Sequence, residues 1–428
     1  MPSICFYFQV HQPYRAKKYS VFNVGNDHDY FESPEDRLSN EKIFHKVAEK
    51  SYLPTNKVIL GLLNKHPEMK VSYSLSGVFI EQAEKFNPEV LDSFKRLVDT
   101  GRAELLEETY HHSLSFLYSK DEFKRQVKLH RDKIKEHFGV EPKVFRNTEL
   151  IYNNDLAKEI EEMGYQGIIA EGADHILGWR SPNFVYKPKG AKNLKLLLKN
   201  YKLSDDIAFR FSNKGWSDHP LTAEKFSNWV NDHHGNGHLI NLFMDYETFG
   251  EHQWESTGIF DFLSHLPEYV LRHPDNSFVT PSEAIAQYQH FDELDYPHFV
   301  SWADTERDLS AWLSNSIQKD AAQKLYSLEK DIMAYGDDRL IEDWRKMQTS
   351  DHFYYMCTKY FSDGDVHKYF NPYETPYEAF ITYMNILSDI RHRLDDCKKV
   401  NKAPTSKKVV KKTSPKKTGA KKSVSKKS

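Results

Sequence analysis

Two carboxylates sit where strand-like runs end: Glu149 closes Val144-Phe145-Arg146-Asn147-Thr148-Glu149, and Asp245 closes Leu239-Ile240-Asn241-Leu242-Phe243-Met244-Asp245. Parallel α/β folds gather their chemistry at the carboxyl ends of their strands, so acids delivered there from distant parts of the sequence can form a pair. Two carboxyl groups about 5 Å apart are the equipment of a retaining glycosidase. Arg146, three residues before Glu149, could hold that acid ionised, as a nucleophile requires. Asp245 begins a crowded stretch with Glu247, Glu251, His252 and Trp254. Acids packed together raise one another's pKa, which suits a general acid near neutral pH.

Other residues could join them. His11 follows the first apolar run and precedes Pro13, which stops a strand. The run Gly101-Arg102-Ala103-Glu104-Leu105-Leu106 leads into Glu107, Glu108 and the pair His111-His112. His11, His112 and Glu108 could supply three ligands of an open zinc site. Recognition of sugar hydroxyls by the same groups needs less special geometry. Leu203 to Arg210 adds Asp205 and Asp206 beside Arg210, readable equally as an ion pair on a helix or loop. No Gly-rich phosphate loop or GxSxG elbow occurs, so no nucleotide cofactor is expected.

The elements that must position these groups alternate. Strands are expected over 4–10, 70–74, 103–106, 143–145, 167–170, 194–198 and 239–244, with helices over 41–64, 88–100, 120–137, 154–163, 222–232 and 259–272. Pro88 in a first helical turn, with Asn87 as its candidate cap, marks one helix start. Short apolar strands alternating with helices argue for a parallel sheet, and this many units suits a closed or nearly closed barrel of seven strands. After about residue 297, apolar and aromatic residues recur at three- and four-residue spacing over 304–315, 318–334, 338–347, 351–360 and 375–397, the pattern of a helical bundle. The expected division is a barrel over 1–297, a helical domain over 298–397 and a basic tail over 398–428.

Composition bounds the rest. The 428 residues are 39% hydrophobic and 14% aromatic, ample for packed domains, and the aromatics offer rigid area for sugar faces as well as core. Cys5, Cys357 and Cys397 are too few and too scattered for a disulfide framework or a zinc ribbon. The first strand is too short and lacks the basic start of a signal peptide, and no apolar run is long enough for a membrane span; a soluble cytoplasmic protein is expected. The segment 398–428 holds 13 Lys and no acid, leaving 46 Lys and Arg against 62 Asp and Glu elsewhere. Such a tail cannot bury a core and is expected to be disordered, either solvating the chain or making non-specific contact with polyanions.

Taken in order, these segments resemble glycoside hydrolase family 57, in its α-amylase-type branch. The resemblance rests on His11-Gln12-Pro13-Tyr14, Gly101 to His112, Phe145 to Leu150, Leu203 to Phe211, Asp245 to His252, Phe278-Val279-Thr280-Pro281-Ser282-Glu283 and Ser301 to Trp312. It implies an incomplete seven-stranded (β/α) barrel followed by a helical domain, acting on α-glucans with retention and without a required metal. It makes Glu149 the nucleophile and Asp245 the general acid/base. The substrate-binding residues are then expected to be His11, Glu104, His112, Arg146, Glu247, His252 and Trp254. A retaining α-glucan hydrolase is the leading expectation. A 4-α-glucanotransferase, a branching enzyme, a non-catalytic glucan-binding homologue and a metal-dependent deacetylase are the alternatives. Neither oligomeric state nor chain-length preference follows from the sequence.

Overall fold

A computed structural model describes residues 2–32, 39–359 and 371–402; the Lys-rich segment beyond 402 lies outside the described residues. Ten strands form in chain order: β1 Ser3–Val10, β2 Val71–Leu75, β3 Ala103–Leu105, β4 Val144–Arg146, β5 Gly167–Glu171, β6 Val185–Pro188, β7 Lys195–Lys199, β8 Leu239–Asp245, β9 Ser277–Phe278 and β10 Glu293–Leu294. Two curled sheets result, one ordered β3-β2-β1-β8 with β9 also on β1, the other β10-β6-β7-β5-β4.

The sheets meet along two seams. At one, Glu107 pairs in parallel with Phe145, its N–H donating to Val144 O at 3.0 Å and its carbonyl accepting from Arg146 N at 2.8 Å. At the other, Asn200 N donates to Asn241 O at 2.9 Å, and Asn241 Nδ2 to Leu198 O at 2.9 Å. Strands β8, β1, β2, β3, β4, β5 and β7 thus circle a common interior in parallel, irregular where single bridges replace ladders. This is the incomplete seven-stranded barrel. The seven expected strands all form, each within one or two residues of its bounds. The antiparallel β6 and the two-residue β9 and β10 are additions too short or too mixed to show a period.

Strand alternation explains how the interior is filled. On β1, Ile4, Phe6, Phe8 and Val10 face the surrounding helices, while Cys5 and Tyr7 point inward with Val144, Ile169, Leu197 and Phe243. Continuing that inward parity to the strand ends places Gln9, Arg146 and Asp245 at the mouth. Gln9 lies directly beside Asp245 in the β1–β8 register. The mouth is therefore polar because the last inward position of several strands is polar.

The first expected helix forms over Asn40–Lys65 but contains a π-helical turn, Ala48–Tyr52. A helix over Gly77–Phe86 was not anticipated. Asn87 occupies the cap position before Pro88 without making a side-chain cap hydrogen bond.

Beyond residue 300 the helices are Ser310–Leu313, Ser316–Ser327, Glu329–Tyr335, Asp338–Lys346, Ser350–Tyr354 and Pro376–Lys402. They share a core with Tyr14, Tyr19, Tyr30 and Phe31 from the excursion after β1. Tyr373 donates to Ala16 O at 3.0 Å and Asn385 to Tyr19 O at 3.0 Å, tying that excursion to the helices.

Three helical expectations are corrected. The helix expected over 351–360 ends at Tyr354, with residues 355–359 not helical and residue 360 outside the described residues. Residues 304–309 are not helical: Asp304 and Arg307 adopt left-handed backbone with φ 57° and 52°, and only Ser310–Leu313 forms a helical turn. The last helix runs to Lys402, past the expected start of the tail, because Lys398 reaches Asp331 at 2.7 Å and Lys399 reaches Asp396 at 2.8 Å.

Candidate functional site

A cleft at the barrel mouth is lined by Gln9, His11, Gln12, Pro13, Arg15, His112, Glu149, Asp245, Glu247, His252, Trp302, Asp351 and Tyr355. The interior parity of β8 delivers Asp245. Glu149 arrives differently, on a 3-10 turn just past β4, with φ 57° and ψ 24°. Left-handed backbone is costly for a residue with a Cβ and persists only where the surroundings over-determine it.

Those surroundings are specific. Trp302 Nε1 donates to Glu149 Oε2 at 2.9 Å, and Ser350 Oγ donates to Oε1 at 3.1 Å. His112 Nε2 lies 3.4 Å from Oε1, and its Nδ1 lies 2.9 Å from Glu108 Oε2. Burial by itself would lower the His112 pKa, but the two carboxylates outweigh it and raise it to about 9. The ring is therefore an imidazolium that donates from both nitrogens. Arg146 Nη1, 3.3 Å from Nδ1, is then a neighbouring cation rather than a hydrogen-bond partner.

These charges separate the two strand-end acids. Burial would raise Glu149, yet the hydrogen bond and charge of His112, with the Arg146 guanidinium, bring it down to about 2. Asp245 goes the other way. Burial and the Glu149 charge push it to about 6, only partly opposed by Arg146, Lys199 and His112. No described residue hydrogen-bonds the Asp245 carboxyl. One acid is held ionised and the other is kept close to protonation, which is how two carboxylates in one cleft take different roles.

The rest of the wall is a set of supports. His11 stacks on His112 with ring centroids 4.1 Å apart; its Nδ1 lies 2.7 Å from Ser76 Oγ and its Nε2 3.1 Å from Asp351 Oδ2. Burial and the His112 charge lower the His11 pKa, so this ring is the neutral member of the stack. Glu247 accepts from the Tyr52 hydroxyl, carried on the π-helical turn. Burial and Asp245 push Glu247 to about 8, leaving it neutral at pH 7. Arg146 is fully buried behind the cleft, with Glu108 at 3.8 Å and the Trp302 ring at 5.3 Å.

Of the expected residues, His11, His112, Glu149, Asp245, Glu247 and His252 line one cleft, with Arg146 directly behind. Two do not. Glu104 is turned to the opposite end of the barrel, where its carboxylate accepts from Ser282 N at 2.9 Å and from the Ser282 hydroxyl. Trp254 is 55% exposed beyond the cleft wall, with Lys50 Nζ 5.7 Å from its ring. Nor do His11, His112 and Glu108 converge as metal ligands: the rings stack face to face, and their nitrogens already face Ser76, Asp351, Glu108 and Glu149. Among the described residues no group of three or more His, Cys, Asp or Glu has the arrangement to hold a metal ion.

The sequence reading missed Gln9, Tyr52, Ser350 and Asp351 as parts of the site. Gln9 was findable, since a polar residue at the inward end of a strand is a mouth residue. Ser350 and Asp351 were not, because nothing local says that a short helix in the bundle reaches the barrel.

The sequence profile of glycosyl hydrolase family 57 matches residues 5–297, well over half of the chain. The chain belongs to this family. It is thus a family 57 glycoside hydrolase, and the cleft lies at the mouth of the family's barrel. A Methanocaldococcus jannaschii protein named "Putative alpha-amylase" is 45% identical over 405 residues, covering 92% of this chain and 85% of its own. In fold, the chain is similar to a family 57 branching enzyme of Thermococcus kodakaraensis, with TM-score 0.66 and 14% identity over 94% of this chain and 92% of that one. It is also similar to a 4-alpha-glucanotransferase of Thermococcus litoralis, with TM-score 0.61 and 17% identity over 82% of this chain but 56% of that longer one. Among the described residues no helix is long and apolar enough to cross a membrane.

Proposed function

We propose that this family 57 chain is a retaining α-glucan hydrolase of the α-amylase type, with Glu149 as nucleophile and Asp245 as general acid/base. The observation that carries the reading is the opposite bias of two acids on one cleft, Glu149 held near 2 and Asp245 raised to about 6. The name of the M. jannaschii relative supports the substrate class.

Asp245 gives its proton to the glycosidic oxygen as Glu149 attacks the anomeric carbon, breaking the C–O bond and forming a covalent glycosyl-enzyme. The leaving chain departs as an alcohol. Asp245, now a carboxylate, takes a proton from water, whose oxygen displaces Glu149 from the anomeric carbon. Development of positive charge on the sugar in each transition state is met by the nearby carboxylates, and neutral Glu247 adds none of its own. Glu247 and His252 line the same cleft and offer polar atoms to sugar hydroxyls, while the stacked rings of His11 and His112, whose nitrogens are already engaged, form the wall beside them. We also infer a cytoplasmic location, and for the Lys-rich tail either a solvating role or a non-specific contact with polyanions, separate from catalysis.

The test is product analysis on maltoheptaose with wild type, Glu149→Gln and Asp245→Asn, following the anomer first formed by proton NMR. Shorter sugars appearing as the α-anomer support the proposal. A ladder of longer sugars identifies transfer to a glucan acceptor in place of water, and a β-anomer overturns retention. Equal silence of all three proteins on maltoheptaose and glycogen identifies a glucan binder.

A further inference from the structure

Trp302 belongs to a segment expected to lead into a helix, yet it makes the shortest hydrogen bond to Glu149. Its backbone N–H also donates to Glu149 O at 3.2 Å, so this one residue holds both ends of Glu149. Two cations lie over the indole ring, the Arg146 guanidinium carbon 5.3 Å and Lys199 Nζ 5.4 Å from its centroid. A cation on an aromatic face fixes ring orientation as well as lowering energy.

The loop behind Trp302 is itself pinned. The Arg307 guanidinium donates to Trp302 O and lies 3.9 Å from Glu171 Oε2 and 3.6 Å from Asp205 Oδ2. Lys199 Nζ reaches Asp205 Oδ1 at 3.1 Å and Glu171 Oε2 at 3.9 Å. Glu171 is fully buried at the end of β5, and burial pushes its carboxyl up to about 7, only partly opposed by Lys199 and Arg307. Two acids and two cations thus form a buried cluster joining β5, β7, the helix Tyr201–Asp205 and the 301–308 loop. The left-handed Asp304 and Arg307 turn the loop back on itself, with Ser301 N donating to Arg307 O at 3.1 Å. The cluster grows from the last pair of the β5–β7 ladder, Glu171 beside Lys199, and bears on where the indole N–H points.

We propose that Trp302 is a positioning residue for Glu149, and that the Glu171–Lys199–Asp205–Arg307 cluster anchors it from behind. The indole N–H fixes the plane of the Glu149 carboxylate, so that the attacking oxygen keeps one orientation toward the anomeric carbon. This rests on the role proposed for Glu149 above. A hydrogen bond to the charged form also favours ionisation, so its loss raises the Glu149 pKa.

The test pairs turnover with a direct titration. Protein labelled with carbon-13 at the Glu carboxyls is titrated by NMR, the Glu149 signal being assigned by its absence in Glu149→Gln. In Trp302→Phe, which keeps the ring and removes the N–H, the Glu149 pKa rises and kcat on maltoheptaose falls about tenfold or more, the scale of a hydrogen bond to a charged group. KM stays within about twofold. Arg307→Met moves pKa and kcat the same way, and Arg307→Lys restores part of each; should Trp302→Phe fail to fold, this pair carries the test. Wild-type pKa and kcat in Trp302→Phe overturn the proposal. So does a loss of kcat in Arg307→Met with the Glu149 pKa unmoved, which is the mark of a merely structural role. If wild type turns over no glucan, the hydrolase reading fails, and the titration still decides whether Trp302 governs Glu149.

Discussion

His112 Nε2 faces Glu149 Oε1 at 3.4 Å, and each residue shifts the other: the imidazole is raised to about 9 and the carboxyl lowered to about 2. With Glu108 on its other nitrogen, His112 is a buried cation bridging two buried anions. Removing one member of such a set leaves uncompensated charge, and costs more than the set is worth intact.

His112→Ala therefore loses about 3 kcal/mol of stability, the cost of breaking a buried pair, read by denaturant unfolding at pH 7. Because its folded pKa is raised, His112 contributes stability fully present below its unfolded pKa and lost as pH rises through about 9. Glu149 and Glu108 have depressed folded pKa values, so theirs is present above the ordinary carboxylate range and lost as pH falls toward about 2. Wild-type melting temperature should decline at both edges, and the His112→Ala variant should lack the alkaline decline.

Activity has its own pH signature. The proposed mechanism needs Asp245 protonated and Glu149 ionised, so kcat/KM should fall as pH rises through about 6 and as it drops toward about 2. The profile is measured on maltoheptaose across that range. A flat profile through pH 6 would remove Asp245 from the acid role.

Glu149→Gln keeps the shape of the side chain and an oxygen for Trp302 or Ser350, but cannot form the glycosyl-enzyme of the proposed mechanism. Loss of a covalent nucleophile is felt on the scale of about 10^3-fold or more in kcat. Circular dichroism should match wild type while turnover is lost.

The helical part enters through Ser350, whose hydroxyl donates to Glu149 Oε1 at 3.1 Å. Ser350→Ala should lower kcat roughly tenfold, as expected for a hydrogen bond to a charged group. Asp351→Asn weakens the partner of His11 Nε2 and should act mainly on KM, because its hydrogen bond is to the cleft wall and its charge is only a minor influence on Glu149. Steady-state kinetics of the two variants separate these effects.

Glu104→Ala serves as the contrast. Its carboxylate holds the Ser282 N–H and hydroxyl away from the cleft, so the variant should lose about 1–3 kcal/mol of stability while KM stays near wild type. A large rise in KM would return Glu104 to substrate binding.

Particular residues show why some of this was legible in the sequence. Strand period and strand ends are local, so β1 to β5, β7 and β8 could be read from apolar runs, and Asp245 from its place at the end of one. Glu104 is expected in the site only through the family resemblance of its segment, yet it sits low on β3 and holds Ser282. The residues just after Trp302, from Asp304 on, read as helix because apolar residues recur there at three- and four-residue spacing. The turn there is imposed instead by Arg307 reaching Glu171 and Asp205, which lie more than a hundred and about a hundred residues away in sequence. Ser350 and Asp351 depend on how the bundle docks, and docking leaves no periodic trace.

The left-handed backbone of Glu149, φ 57°, makes the position unusually receptive to one substitution. Glycine alone enters that region without penalty, a difference of roughly 1 kcal/mol. Glu149→Gly should accordingly be a sturdier protein than Glu149→Ala, although both lack the group proposed to attack. The space vacated opens beneath the anomeric carbon while Asp245 still stands ready as a base. Such a variant, supplied with a glycosyl fluoride of inverted configuration and a sugar acceptor, is a scaffold for building glucan chains instead of cutting them.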